Sequence, residues 1–459
     1  MSTSPYTALV SRVLFPMHEL LKRHTSVGVR QRLEASQWWP QAELEALQLQ
    51  RLRRLLTRAN AKVPYYRDLF SSLGFDPLRD LHSLADLARL PRLDKATIRA
   101  NGDRMKAQDA DGLARFNTGG SSGEPLIFYI GRERVSHDVA AKWRATRWWN
   151  VDIGDPEVVV WGSPIELGAQ DGVRAVRDRM LRTQLLPAFQ MSAEKLDGFL
   201  ARIRAARPRM LFGYPSALSH IARHAQARGQ RMDDLGIRVA FVTSERLYDE
   251  QREQISKTFG CPVANGYGGR DAGFIAHQCP AGGMHITAED IIVETLDPDG
   301  NPVPRGTAGE IVVTHLATGD FPFIRYRTGD VGVLGDAPCS CGRGLPLLQE
   351  IQGRTTDFLV AQDGTVMHGL ALVYILRDLP QVKAFKIVQE SLDLTRVQVV
   401  ADVPVSSIRQ KIVDGFKARL GAGIEVEVEQ VEAIAPEKSG KFRYVISKVD
   451  PAEATRTMA

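Results

Sequence analysis

The chain has 459 residues, of which 44% are hydrophobic and 25% are charged, and its formal net charge is +5. This length exceeds what one compact core serves and predicts two or three domains, while the composition is that of an ordinary globular protein. The small net charge and the lack of a dense Lys/Arg block with interleaved aromatics argue against nucleic acid as a partner. Four cysteines without a secretory leader predict a reducing cytoplasm and no disulfides.

Residues 1 to about 110 have a helical, arginine-rich pattern. Charged side chains interrupt Met1 to Leu21 too early for a membrane span, so this stretch predicts an amphipathic helix packed on the body. Helical spacing runs from Ala42 to Ala59 and breaks at Val63-Pro64. Another helix is predicted to begin after Asp94, which has the short acceptor side chain of an N-cap.

Between about residues 111 and 350, short apolar runs alternate with helical patterns. Such runs predict buried parallel strands of an α/β domain; the examples are Val158–Trp161, Met210–Tyr214 and Val239–Thr243. A strand-rich stretch follows, in which Ile291–Glu294 and Glu310–Val313 flank a predicted turn at Asp297–Gly300.

The pattern changes after Gly353. Strands are predicted at 384–388, 397–400 and 424–428, with a helix over 408–420, which is typical of a small α+β unit. We therefore predict a domain over 1–353, with a helical segment at 1–110, and a second domain over 354–459.

A glycine and hydroxyl loop extends from Thr118 to Pro125, with three glycines and three hydroxyl side chains. Glycines let backbone N–H groups approach a phosphate, and hydroxyls donate to its oxygens. The spacing is not that of a Walker A loop, and no lysine follows. Lys441, in the run Pro436 to Lys441, is a candidate for the missing positive charge, so the pair suggests ATP chemistry. The alternative is a surface turn and a solvated lysine.

These motifs, with those named next, resemble the adenylate-forming superfamily and within it the phenylacetate–CoA ligase branch, including CapK-type proteins associated with capsular polysaccharide genes. The resemblance runs from about Val63 to the end of the chain. It implies a large N-terminal adenylate-forming domain, with a parallel-sheet α/β part and a strand-rich subdomain, and a small mobile C-terminal α+β lid that carries the catalytic lysine. It also implies that ATP and Mg²⁺ are used to convert a carboxylic acid to acyl-AMP with release of pyrophosphate. Transfer of the acyl group to a thiol such as CoA, an amine or a hydroxyl would follow.

The resemblance assigns nucleotide-binding roles to the phosphate loop, the adenine segment, an adenine-stacking tyrosine, a ribose-binding aspartate and the hinge. These residues are Thr118, Gly119, Gly120, Ser121, Ser122, Gly123, Ser244, Glu245, Tyr267, Gly268, Asp330 and Arg354. Catalytic roles fall to Lys441, Asp271 and Arg327. The two oxygens of Asp330 can accept from both ribose hydroxyls, and a lysine facing the charge that develops at the α-phosphate is worth roughly 10²–10³ in rate.

Two positions depart from the family pattern. Asp271 stands where Tyr-Gly-x-x-Glu has its glutamate, beside the unexpected charge of Arg270, and Thr356 stands at the usual acidic hinge position. These substitutions motivate an alternative function, a catalytically reduced nucleotide-binding protein in a polysaccharide or secondary-metabolite pathway. Retention of Lys441 and Asp330 favours the enzyme.

A second constellation combines three cysteines with a histidine: Cys279, His285, Cys339 and Cys341. Two close pairs beside glycines suit a closed, tetrahedral structural Zn²⁺, and the alternative is a set of free thiols. His277 is an alternative ligand, and Cys261 is predicted to be a buried core thiol.

The identity of the acid is not settled by the pattern. Trp161, Tyr214 and Phe241 suggest an aromatic or otherwise apolar acid, although each fits the core equally well. The expected partners are this acid and an acyl acceptor, without a membrane span. The oligomeric state is left open, a homodimer being one option.

Overall fold

The structure is a computed structural model that describes residues 4–117, 126–161, 172–188, 191–245, 247–297, 299–352, 358–434 and 445–449. Only the backbone is described at residues 172–175, 352, 358, 366, 368 and 370. None of the helices in these ranges is both long enough and apolar enough to cross a bilayer.

The amino-terminal part is helical, as predicted. Its elements are α1 (Pro5–Leu9), a π-helical turn (Val10–Leu14), α2 (Phe15–Leu21), α3 (Ser26–Ser36), α4 (Gln41–Lys62), α5 (Pro64–Leu73), a 3₁₀ helix (Leu84–Arg89) and α6 (Lys95–Asn101). The side chain of Asp94 accepts from the backbone N–H of Thr97 at 2.7 Å, which confirms the predicted N-cap.

The opening helices differ from the expected amphipathic helix. Val10 and Phe15 are buried against the body, as expected. However, Leu20 and Leu21 are 75% and 84% exposed, so the outward face is apolar as well. Because apolar residues occur on both faces of the helix, their spacing in the sequence does not indicate which face packs against the body.

A seven-stranded sheet forms the centre of the molecule. In spatial order its strands are β4 (Thr183–Pro187), β3 (Glu157–Trp161), β5 (Met210–Gly213), β6 (Val239–Thr243), β7 (Val263–Gly269), β8 (Gly273–Gln278) and β9 (Met284–Ile286). The pairs from β4 to β7 are parallel, and β8 and β9 extend the sheet antiparallel. Helix α7 (Arg132–Trp148) precedes β3, and the described helices between the strands are α8 (Gly172–Leu181), α9 (Ala193–Ala206), α10 (Pro215–Ala227) and α11 (Asp249–Phe259). The predicted parallel strands are confirmed.

The sheet is buried on both faces, which explains its uninterrupted apolar runs. Alternate residues of one strand belong to different cores: Phe212 and Phe241 to one hydrophobic cluster, and Leu211 and Val242 to another. The parallel strands end at one edge of the sheet, where Trp161, Tyr214 and Ser244 lie at or just after the ends of β3, β5 and β6.

Two smaller sheets frame that edge. A hairpin pairs β1 (Ala114–Asn117) with β2 (Ile127–Ile130). A four-stranded antiparallel sheet contains β10 (Ile291–Leu296), β11 (Ala308–His315), β12 (Tyr326–Leu334) and β13 (Leu348–Gln352). The predicted strands around the turn at Asp297 to Gly300 are β10 and β11.

The carboxyl-terminal part has its own hydrophobic core and the predicted α+β character. Its elements are β14 (Phe358–Val360), β15 (Val366–His368), α12 (Leu370–Arg377), β16 (Val382–Gln389), β17 (Leu394–Ala401), a 3₁₀ turn (Val405–Ser407), α13 (Arg409–Leu420), β18 (Glu425–Gln430) and β19 (Val445–Ser447). The strands form a sheet in the order β18-β17-β16-β19. The predicted domain boundary near residue 353 lies outside the described residues and stays a prediction.

Candidate active site

The candidate site lies where the parallel strands end. Trp161 closes β3, Tyr214 follows β5, Ser244 follows β6 and Tyr267 lies near the end of β7. Because these strands are parallel, their carboxyl ends meet at one edge, which is the usual ligand-binding edge of an open α/β sheet. Trp161 and Tyr214, 53 positions apart in sequence, are thus brought to the ends of neighbouring strands.

Two tyrosine–aspartate hydrogen bonds join β7 and the turn after it to β12. The hydroxyl of Tyr267 donates to Asp330 at 3.0 Å. The hydroxyl of Tyr326, which is fully buried, donates to Asp271 at 2.6 Å. Each bond joins a predicted site residue at or after the end of β7, Tyr267 or Asp271, to a residue of β12. The structure therefore brings Tyr267, Asp271 and Asp330 together.

A buried arginine that the sequence analysis did not single out supports the turn that carries Asp271. Arg134, on α7, is 2% exposed and donates to the backbone carbonyls of Arg270 and Asp271, at 2.9 Å in each case. It also pairs with Asp138 at 3.3 Å. Its position in an ordinary charged helix offered no signal for this role, since the partners are backbone atoms more than a hundred residues away.

Arg270, the unexpected charge, lies close to the carboxyl-terminal end of β1. One of its guanidinium nitrogens is 3.5 Å from the carbonyl of Asn117, the last residue before position 118. Tyr374, on α12, is near enough to interact electrostatically with it. Arg270 is therefore near both the end of β1 and helix α12.

The segment predicted to lie against adenine has an unusual backbone. Ser244 has a φ of +74°, in the left-handed region that non-glycine residues rarely occupy. The hydroxyl of Ser216, at the start of α10, donates to the carboxylate of Glu245. This hydrogen bond ties the predicted adenine segment to the start of α10, which follows the neighbouring strand β5.

Gly268 has a packing reason to be glycine. A Cβ built on it would lie 2.2 Å from the carbonyl oxygen of Gly273, so any side chain would push β7 and β8 apart. This glycine keeps the two strands close beside Tyr267.

Arg327 lies apart from this group. Its guanidinium donates to Glu310 of β11 at 2.9 and 3.0 Å, and this hydrogen bond raises the pKa of the guanidinium. Neighbouring residues of a strand face opposite ways, so Tyr326 meets Asp271 while Arg327 meets Glu310. Its catalytic role stays a prediction.

Several predicted residues lie outside the described residues. They are the phosphate loop from Thr118 to Gly123, the hinge residues Arg354 and Thr356, and Lys441. The ends of the loop are described, and they pair antiparallel as Asn117 and Ile127.

Aromatic rings lie at the ends of other strands along the same edge of the sheet. Trp161 stacks on Tyr214 with ring centroids 4.4 Å apart and an interplanar angle of 20°. Phe212 and Phe241 stack next to them at 6.0 Å. Phe241 is 2% exposed and serves the core, whereas the ring of Trp161 is half-buried at the strand end.

The predicted cysteines and histidine form one cluster, as the spacing indicated. The candidate ligand atoms of Cys279, His285, Cys339 and Cys341 all lie within 4.8 Å of one another. Sγ of Cys279 is 3.7 Å from Sγ of Cys339, too far for a disulfide. Nε2 of His285 is 3.2 Å from Sγ of Cys341, and its Nδ1 is 3.3 Å from the carbonyl oxygen of Leu345. Burial lowers the pKa of His285 to about 4, so its ring is neutral at pH 7.

Two tight turns assemble this cluster. Gly282 and Gly342 have φ of +90° and +80°, and a Cβ on Gly283 would lie 2.6 Å from Sγ of Cys339. His277 is not part of the cluster: its ring packs against Phe274, with centroids 5.5 Å apart. Cys261 is 3% exposed, which confirms the predicted core thiol, and burial raises its pKa to about 12.

Comparisons with known proteins agree with this architecture. The profile of the AMP-binding enzyme family matches residues 185–318, and that of the CapK C-terminal domain matches residues 359–448. A phenylacetate-coenzyme A ligase of Thermus thermophilus is 25% identical over 441 residues, covering 89% of this chain and 97% of the relative. The protein CapK of Staphylococcus aureus is 25% identical over 372 residues, covering 80% of this chain and 81% of the relative.

Solved structures share the fold. A 2-hydroxyisobutyryl-CoA ligase in complex with 2-HIB-AMP and CoA in the thioesterification state has a TM-score of 0.66 at 22% identity, covering 92% of this chain and 93% of the other. The same ligase in an open conformation with the same ligands has a TM-score of 0.59, covering 90% and 93%. The chain thus contains a segment that matches the AMP-binding enzyme family, followed by one that matches the CapK C-terminal domain, and it is similar over most of its length to phenylacetate-coenzyme A ligase and to the protein CapK.

Proposed function

We propose that this protein activates a carboxylic acid with ATP and transfers the acyl group to the thiol of CoA. In the first step a carboxylate oxygen attacks the α-phosphorus, the bond to the β-phosphate breaks, and pyrophosphate leaves acyl-AMP. In the second step the thiol sulfur bonds to the acyl carbon, its proton passes to solvent, and AMP leaves. The ligands named for the solved 2-hydroxyisobutyryl-CoA ligase, an acyl-AMP and CoA, support both steps.

The observation that carries this proposal is the 3.0 Å hydrogen bond from Tyr267 to Asp330. A ring proposed to stack on adenine and a carboxylate proposed to bind ribose must lie within the length of one adenosine, and this bond holds them there. A carboxylate has about four acceptor positions, so it can take a tyrosine hydroxyl together with ribose hydroxyls.

Asp271 is the proposed Mg²⁺ ligand, and its surroundings fit that role. Its two oxygens accept from Tyr326 at 2.6 Å and from the backbone N–H of Ala272 at 3.1 Å, so the carboxylate is held in one orientation. Mg²⁺ prefers one or two such carboxylates together with phosphate oxygens and water. When bound, the ion would neutralise charge on the leaving pyrophosphate.

The proposed acid is apolar or aromatic at the end that enters the protein. The stacked rings of Trp161 and Tyr214 lie at the same edge as the nucleotide residues, on the neighbouring strands β3 and β5. Phenylacetate is the acid in the names of several relatives. At 25% and 28% identity, these names indicate the class of acid rather than phenylacetate itself.

We propose that the cysteine–histidine cluster holds one structural Zn²⁺. Two thiolates bound at ~2.3 Å to a tetrahedral ion lie about 3.8 Å apart, and the pair Cys279 and Cys339 is at 3.7 Å. The carbonyl next to Nδ1 of His285 is the outer partner that a ligating imidazole usually has. All four cysteines are unpaired, in keeping with the proposed cytoplasmic location.

A pyrophosphate-exchange assay over a panel of carboxylic acids tests the proposal. With the right acid, the wild type should return labelled pyrophosphate into ATP, and adding CoA should divert the adenylate to a thioester detected by mass spectrometry. Lys441→Ala should lower exchange by roughly 100-fold or more, because a lysine at developing charge acts in the transition state.

Lys438→Ala is the matched control, since it removes a lysine from the same short run. It should keep most of the exchange activity, and both variants should bind ATP within about tenfold of the wild type. Exchange at the wild-type level in Lys441→Ala would contradict the assignment of the lysine. ATP binding without exchange for any acid would favour the catalytically reduced nucleotide-binding protein.

A further inference from the structure

The opening helices carry a second apolar face that no described residue covers. The chain from residue 5 to residue 21 is helical throughout, and Val10 and Phe15 face the body with exposures of 0% and 6%. The opposite face carries a row of apolar side chains spaced three or four residues apart, each 40% exposed or more. This row consists of Tyr6, Leu9, Val13, Met17, Leu20 and Leu21.

The row extends to a second helix. The hydroxyl of Tyr6 donates to the carbonyl oxygen of Met180 at 2.9 Å, which fixes α8 alongside α1. Val176, one turn earlier on α8, is 70% exposed. Apolar side chains that are singly exposed are normal, but a continuous row on two packed helices marks an interaction surface.

A cleft of about 950 Å³ adjoins the row. It lies at the amino-terminal edge of the parallel sheet, because Pro156, Arg209 and Arg238 directly precede β3, β5 and β6. The candidate active site is at the opposite edge. The opening helix supplies one wall, and seven of the lining residues are arginines: Arg12, Arg30, Arg147, Arg182, Arg207, Arg209 and Arg238.

Most of this positive charge is not balanced. Arg182 donates to the carbonyl oxygen of Gly154 at 2.7 Å, and Arg207 to that of Asp234 at 2.8 Å. A carbonyl accepts the hydrogen bond without neutralising the cation. Two carboxylates, Asp152 and Asp155, also line the cleft. Of the seven arginines, Arg30 and Arg147 are the ones with carboxylate partners within the described part of the chain. The cleft therefore has a strong excess of positive charge.

We propose that this face docks the protein on an anionic lipid bilayer. The apolar row would enter the boundary between headgroups and acyl chains, while the arginines of the cleft meet headgroup phosphates. A helix lying in the interface with apolar residues on one side and basic residues beside them binds in this way, and each basic residue near the surface strengthens it. A bilayer supplies both the opposite charge and the apolar layer, whereas a second copy of the chain would bring another arginine-lined cleft.

Vesicle flotation of the full-length protein tests this. The wild type should float with vesicles of phosphatidylcholine and phosphatidylglycerol, much less with phosphatidylcholine alone, and less as salt is added. Leu20→Glu with Leu21→Glu should lower the partition coefficient by about tenfold or more, because two apolar contacts become charged ones. Arg12→Glu with Arg209→Glu should lower it by a similar factor of about ten.

Matched controls use the same substitutions elsewhere on the surface. Leu78→Glu and Arg54→Glu replace side chains that are 74% and 80% exposed and that do not line the cleft, so both should bind vesicles as the wild type does. All variants should keep the wild-type thermal unfolding temperature and adenylation rate without lipid. Absence of flotation by the wild type, or equal loss in the controls, would overturn the proposal. The proposal would also be overturned if the wild type were a dimer that does not bind vesicles and if Leu20→Glu with Leu21→Glu made it monomeric, since the row would then bind a second copy.

Discussion

Two polar groups connect the same two stretches of chain, residues 263–290 and 326–347, and they are built in opposite ways. In the candidate active site, Tyr267 and Asp330 form one pair and Asp271 and Tyr326 another, and three of these four side chains are half-exposed. In the cysteine–histidine cluster, Cys279 and His285 are fully buried. The first group presents acceptors toward the sheet edge, whereas the second turns its ligand atoms toward one another.

The difference fits the two proposed roles, a site that exchanges ligands and a site that holds a structural metal. A reacting group needs access to solvent and only a few bonds that fix its orientation. In the candidate active site, each aspartate accepts one tyrosine hydroxyl, which meets this need. A structural metal needs a closed set of ligands on short turns, so that the ion cross-links the two stretches. We therefore expect changes in the first group to alter nucleotide binding, and changes in the second to alter the free energy of unfolding.

The largest effect is expected in the cluster. Purified protein should contain about one zinc per chain, and Cys339→Ser with Cys341→Ser should lose the metal and about 3–5 kcal/mol of unfolding free energy, because binding of a structural metal is coupled to folding. Elemental analysis and denaturant titration measure the two quantities. Cys261→Ser, at a thiol outside the cluster, should keep the zinc.

Added metals sharpen the same test. Extra zinc should not raise turnover, since the ligand set is closed, whereas removal of Mg²⁺ should stop it. Metal-free protein of full stability would contradict a structural ion, and zinc-dependent turnover in folded protein would assign the cluster a different role.

A smaller effect, confined to binding, is expected at the ribose-side carboxylate. Asp330→Ala should weaken ATP binding by about 2–3 kcal/mol, equivalent to a roughly 30- to 150-fold higher dissociation constant, because hydrogen bonds to a charged acceptor are lost. Isothermal titration gives the affinity, and Asp336→Ala on the exposed turn after the same strand is the control. Unchanged affinity in a folded variant would show that Asp330 does not contact the nucleotide.

The smallest effect is expected from Tyr267→Phe, which keeps the ring and removes only its hydroxyl. ATP affinity should fall by about fivefold, near 1 kcal/mol for one hydrogen bond, and thermal stability should stay unchanged because the residue is half-exposed. Tyr267→Ala should lower the affinity for ATP further, since it also removes the proposed stacking surface. Equal affinities for the two variants would mean that the ring does not stack on adenine.

The fold was largely predictable, because its strongest signals are local. Continuous apolar runs such as Val239–Thr243 predict strands buried on both faces, and two hydrophobic cores do cover that sheet. The cysteine–histidine cluster was also predictable, since each half is a short turn with its glycine and the metal chemistry limits the combinations. By contrast, no pattern pointed to Arg134, whose partners are the distant carbonyls of Arg270 and Asp271.

By itself the sequence determined the strands, the residue types at the candidate site and the cysteine–histidine set, because hydrophobic periodicity and chemical identity are properties of short segments. The tertiary structure decided which side chains meet: Tyr326 with Asp271, Arg327 with Glu310, and His277 with Phe274 rather than with the cysteines. It also decided that one face of the opening helix is left uncovered by the described residues. Such pairings depend on strand order, on which face each residue takes and on what packs nearby, and these are set only when the whole chain is folded.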